Sequence, residues 1–168
     1  MDGLIGLVSG QVIYQDFKSR TGSIYALLIL AVLACIMAFN HSPAFPVLKY
    51  FSFNISFLAL VGITQYILIY FKKNKNLNPI NKVIGLFDVL YLLILCTCFS
   101  PRNFLFFIIF TALLGCIHGF IYQFRLKRKT VFIPFAAYLA IGHILFIGIK
   151  YITGTSLYND LLIRNLFA

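Results

Sequence analysis

Tryptophan and glutamate are absent from this chain, and its 168 residues include only four acids, Asp2, Asp16, Asp88 and Asp160. Any carboxylate acting as general acid or base must come from that short set. Charge of either sign is scarce, at 11% of residues, against about a quarter in an ordinary soluble domain. A soluble fold is excluded, because it could not cover the apolar surface that remains. Also missing are a Ser-His-Asp arrangement, a phosphate-binding glycine loop and an HExxH helix, which disfavours rhomboid-like serine and zinc-dependent proteolysis. No repeat or low-complexity tract of the soluble type is present.

What the chain has is hydrophobic residues, 61% of the total, in runs approaching the roughly 20 residues that cross about 30 Å of hydrocarbon. The fold class expected is all-α, a polytopic bundle of six transmembrane spans forming a single domain over 1–168. The spans are predicted at Gly3–Tyr14, Ile24–Phe39, Phe51–Phe71, Ile84–Phe99, Asn103–Phe124 and Val131–Ile152. Pro43 and Pro46 stop the second, and the fourth breaks at Ser100-Pro101. The first is the shortest and carries Ser9, Gly10 and Gln11. Met1-Asp2 opens the chain with an acid and no small-x-small cleavage site follows, so the N-terminus reads as mature protein rather than a secretory signal.

The net charge of +10 sits in short loops between apolar runs, which points to membrane topology and not to nucleic acid. Loops after spans one, three and five hold Lys18, Arg20, Lys72, Lys73, Lys75, Lys82, Arg125, Lys127, Arg128 and Lys129; the opposite side holds Lys49, Arg102, Lys150 and Arg164. Short cytoplasmic loops carry the excess of Lys and Arg. Both termini are therefore expected to face outward, with the basic loops inside and in contact with anionic lipid.

Asp2 and Asp160 fall in a terminus and a polar tail, where a solvated role is expected. Asp16 closes the first span and Asp88 opens the fourth, which brings both to one membrane boundary, where a carboxylate is costly to keep. Two structural roles are open to them. Asp16 can pair with Lys18 or Arg20, and Asp88 can favour the positive end of its own helix. A chemical role is open as well, because two adjacent carboxyls that share a proton supply both the base and the acid of peptide hydrolysis.

Asp16-Phe17-Lys18-Ser19-Arg20 after a short first span resembles the aspartate-and-basic element that follows the first helix of type IV prepilin peptidases. Gly85-Leu86-Phe87-Asp88 is similar to that family's GxGD motif, with Phe87 where the motif has its second glycine. Ile133-Pro134-Phe135 resembles the proline-containing lead-in to its C-terminal helix. The resemblance covers essentially the whole chain. It implies an intramembrane aspartic endopeptidase that removes leaders from pilin-like precursors at the cytoplasmic face of a prokaryotic inner membrane, without a cofactor. Asp16 and Asp88 would be the catalytic dyad, supported by Lys18, Arg20, Gly85 and Phe87. Larger members carry a cytoplasmic domain with paired cysteines and methylate the new N-terminus; this chain has neither that length nor a CxxC pair, which implies the short, peptidase-only form. A benzyl group at Phe87 would fill space that a glycine leaves open. The alternative is therefore a non-catalytic relative, a scaffold or small transport component whose acids are structural.

The remaining polar residues predict packing. Cys35, Cys96, Cys98 and Cys116 lie in apolar runs as small hydrophobes, with no disulfide and no metal site expected. His118 and His143 are each expected to bond a neighbouring helix. Gly115 and Gly119 form a GxxxG pair suited to close helix approach. Asn54 and Gln65 are expected to form interhelical hydrogen bonds.

Overall fold

A computed structural model describes residues 1–19, 23–41, 44–71, 85–126 and 134–160. They form six α-helices, with no strand among the described residues: α1 (Asp2–Ser19), α2 (Ile24–His41), α3 (Ala44–Phe71), α4 (Leu86–Leu95), α5 (Pro101–Leu126) and α6 (Phe135–Thr153). Three contain stretches long and apolar enough to cross a membrane, Pro46–Ile67, Pro101–Tyr122 and Phe135–Thr153. Large apolar side chains such as Leu7, Tyr25, Leu60, Phe120 and Ile152 stand exposed on the outer faces, as a lipid surround requires.

Several boundaries differ from expectation, and α1 runs on to Ser19, five residues past Tyr14. The third helix starts at Ala44 rather than Phe51, because Pro46 falls in its first turn, where a missing N–H breaks no helical bond. The fourth stops at Leu95 rather than Phe99. At 10 residues it extends about 15 Å, half the hydrocarbon thickness.

The reason α4 stops is found on other elements. Asn54 of α3 donates from Nδ2 to the carbonyls of Cys96 and Phe99, both at 3.0 Å. The Tyr158 hydroxyl donates to the carbonyl of Thr97 at 2.9 Å, and the Ser100 N–H donates to the carbonyl of Leu157 at 3.1 Å. Asn103 in turn binds the carbonyls of Leu157 and Asn159. Irregular backbone inside an apolar bundle is tolerated where protein groups satisfy it, and here the tail after α6 does much of that work. Gly154 makes the return possible, with φ 63° in the left-handed region at the end of α6.

The core lies between α1, α2, α4, α5 and α6. Phe99 stacks on Phe107 at 4.9 Å between ring centroids, and both meet Phe146 edge-on at 5.6 Å. A close helix approach is at Gly142, where an added Cβ would stand 2.4 Å from Thr111 Cγ2. Asn54 meets its expectation, whereas Gln65 lies exposed on α3. His118 meets the Tyr138 hydroxyl of α6 through Nδ1. His143 departs from expectation: it is fully buried beside Phe99, and neither ring nitrogen has a hydrogen-bond partner among the described residues.

Candidate active site: two aspartates at one helix end

α1 and α6 run antiparallel and are tied at both ends. At one end Lys150 Nζ and the Tyr151 hydroxyl donate to Asp2 Oδ2 at 2.7 and 2.9 Å. At the other, the Ala137 N–H donates to Asp16 Oδ2 at 2.8 Å. A helix leaves its first N–H groups without intrahelical partners, and Pro134, the N-cap of α6, itself has no N–H to offer. Ala136 and Ala137 are thus the second and third residues of a helix whose free donors face Asp16 across the bundle.

Asp88 reaches the same helix end from α4. Its carboxylate accepts a hydrogen bond from the N–H of Gly85 at 3.2 Å and lies within electrostatic reach of the Ala136 N–H and of Asp16. Asp88 is the third residue of α4 and Gly85 its N-cap, an arrangement in which the side chain turns back over its own helix start. A Cβ on Gly85 would stand 3.1 Å from Asp88 Oδ2, so the glycine leaves room for the carboxylate.

Two acids distant in sequence therefore meet at the start of a third element, where Asp16 binds the Ala137 N–H. Asp16 is buried and Asp88 half-buried. The positive end of α6 favours negative charge at this point, which offsets part of the mutual repulsion of the carboxylates.

Lys18 directs its ammonium to the Tyr14 hydroxyl at 2.9 Å and lies over that ring. Arg20 lies outside the described residues. Phe87 is half-buried and packs against the apolar core. Consecutive helical residues do not share a direction, so the Phe87 ring and the Asp88 carboxylate are served by different surroundings. Asp16 does not stand alone on its side: Phe17 stacks near His118 and meets Tyr138 edge-on, and Tyr122 stacks on His118. This aromatic cluster joins α1, α5 and α6 next to the two acids.

Sequence reasoning singled out the acids, Pro134 and a helix partner for His118, but not the backbone donors or that the partner of His118 is Tyr138. A proline ahead of an apolar helix does signal free donors; which side chains would meet them depends on packing.

No protein-family model matches this chain, and neither a curated protein nor a solved structure matches it.

Proposed function

We propose that this chain is an intramembrane aspartic endopeptidase of the prepilin-peptidase type. In this reading it forms a six-span bundle in a prokaryotic inner membrane, with both termini outward and the acid pair at the cytoplasmic face. The observation supporting it most directly is that Asp16 and Asp88, 72 positions apart by number (88 − 16), meet at the start of α6, Asp16 bonded to the Ala137 N–H and Asp88 within electrostatic reach of Asp16 and of the Ala136 N–H.

Peptide hydrolysis needs a base to activate water and an acid to protonate the carbonyl oxygen or the leaving amine. Two carboxyls held together resist simultaneous ionisation and share one proton, so one serves as base while the other serves as acid. At a membrane boundary the water consumed is at hand, while the apolar helix of a pilin-like precursor stays in lipid and positions the scissile bond. The basic loops serve topology and anionic lipid contact.

The test is coexpression with pilin-like precursors, comparing the wild type with Asp16→Asn and Asp88→Asn. The amide oxygen of Asn still accepts from the Ala137 N–H at position 16 and from the Gly85 N–H at position 88, so the helix contacts are retained while the acid–base pair is lost. Processing should fall by about 10²-fold or more in each variant; unchanged processing in both overturns the proposal. Labelling single introduced cysteines tests the topology, with the loop around Lys75 reacting only from the cytoplasmic side.

A second reading has an observation of its own. Each acid caps a helix end, Asp16 that of α6 and Asp88 that of α4, a sufficient structural role for both in a non-catalytic scaffold or transport component. In that case the Asn variants leave precursor processing untouched.

A further inference from the structure

Away from the acids, at the end of the bundle where α3 and α5 begin, a cleft of about 570 Å³ opens between these helices and the tail after α6. Lys49, Ser52, Phe53 and Ser56 supply one wall. Their spacing, i, i+3, i+4 and i+7, places them on a single face of α3. Pro101, at the start of α5, and Asp160 close the other side.

Lys49 and Asp160 are both exposed and line the same opening, and they form no ion pair with one another; among the described residues the ion pair is that of Lys150 with Asp2. One cleft thus presents a cation and an anion that are both available, with Ser52 and Ser56 on the same wall as Lys49. A ligand matching this pattern carries both a negative and a positive group.

Position identifies the kind of ligand. The cleft lies where the two long apolar stretches Pro46–Ile67 and Pro101–Tyr122 begin, the depth at which lipid headgroups meet hydrocarbon. Beyond Ser56 the same face of α3 continues with Leu60, Ile63 and Ile67, all exposed, and beyond Pro101 α5 exposes Leu105 and Ile109. α3 and α5 pack against each other, so an apolar lane runs from the polar cleft along two neighbouring helices. A soluble zwitterion would use the cleft and leave that lane unused.

We propose that this cleft seats a zwitterionic phospholipid bearing a primary ammonium, as phosphatidylethanolamine does. Its phosphate lies against Lys49 and the hydroxyl of Ser52, the Ser56 hydroxyl being already donated to the Ser52 carbonyl; its ammonium lies against Asp160, and its acyl chains along the lane between α3 and α5. The site is independent of the acid pair and of the activity proposed for it.

The test uses the full chain, purified and delipidated in detergent, with lipid binding followed by native mass spectrometry. Phosphatidylethanolamine, phosphatidylglycerol and water-soluble phosphoethanolamine are the three probes. Phosphatidylethanolamine should bind about two- to fivefold more tightly than phosphatidylglycerol, the range of one exposed charge pair. Asp160→Ala should remove that preference and leave phosphatidylglycerol binding intact, which also reports that the variant is folded. Lys49→Ala should weaken both lipids by a similar factor. Equal binding of the two lipids to the wild type, or variants that bind as the wild type does, overturns the proposal. So does phosphoethanolamine binding as tightly as the lipid, because the lane would then contribute nothing.

Discussion

Asp16 is held by the Ala137 amide of α6, and Asp88 lies within electrostatic reach of the preceding amide, that of Ala136. The start of α6 thereby faces two side chains that come from α1 and α4. Small movements of the α6 start relative to α1 alter both contacts together.

Phe87 is the departure from the glycine motif, and its ring packs on the core. Phe87→Gly should lower stability by about 2–4 kcal/mol, combining the lost side-chain contact with the helix cost of glycine. Thermal unfolding in detergent measures this, and precursor processing by the variant should not exceed that of the wild type. A large gain in processing would show that the ring obstructs the substrate path.

Asn54 closes the end of α4 with two hydrogen bonds from one amide. Asn54→Ala leaves the carbonyls of Cys96 and Phe99 without these donors, at an expected cost of about 2–4 kcal/mol. Asn54→Asp should be worse, since an ionised carboxylate has no N–H to donate and faces two carbonyl oxygens. Comparing the two variants by thermal unfolding separates donor loss from simple truncation.

The approach of α5 to α6 depends on the missing side chain of Gly142. Gly142→Ala should destabilise by about 1–3 kcal/mol through overpacking, because its Cβ would meet Thr111 Cγ2 at 2.4 Å. Thr111→Ser removes that methyl and keeps the hydroxyl bond to the Phe107 carbonyl. The double variant should recover much of the loss, which a double-mutant cycle reads directly.

Asp2, ahead of the first apolar run, supplies a pH dependence. Burial disfavours its charged form, but the Lys150 ammonium and the Tyr151 hydroxyl outweigh that effect and hold the carboxyl below its usual range. A depressed folded value means that the contribution is complete above the unfolded value of about 4 and is lost as pH falls through the folded one. Thermal unfolding from pH 6 down to pH 3 should show a declining stability, less steep in Asp2→Asn. Lys150→Met at neutral pH should cost about 1 kcal/mol.

Much of the helical layout could be read in the apolar runs. α2, α5 and α6 overlap their predicted spans closely, because long stretches of Leu, Ile and Phe between polar loops leave little choice in a chain this poor in charge. The two acids were also brought to one end, as alternation of direction from helix to helix requires. The end of α4 was not legible. Cys96-Thr97-Cys98-Phe99 is as apolar as the helix before it, and the groups that take up its carbonyls and amides, on Asn54, Tyr158 and Leu157, belong to segments far away in the chain. The same holds for Gly142, whose importance arises from Thr111 and Phe107 opposite, and for the paired amides of Ala136 and Ala137, which have no side-chain signature at all.

The turn after α4 also separates the order of synthesis from the order of closure. Its partners Leu157 and Tyr158 are made 54 and 61 residues after Asn103 and Thr97, once α5 and α6 have already emerged. During that interval the turn must wait in water, in the insertion machinery or against lipid with its backbone only partly satisfied. A stop placed directly after Thr153 would leave every described helix encoded and α4 unsecured, a defect of assembly with those helices themselves intact.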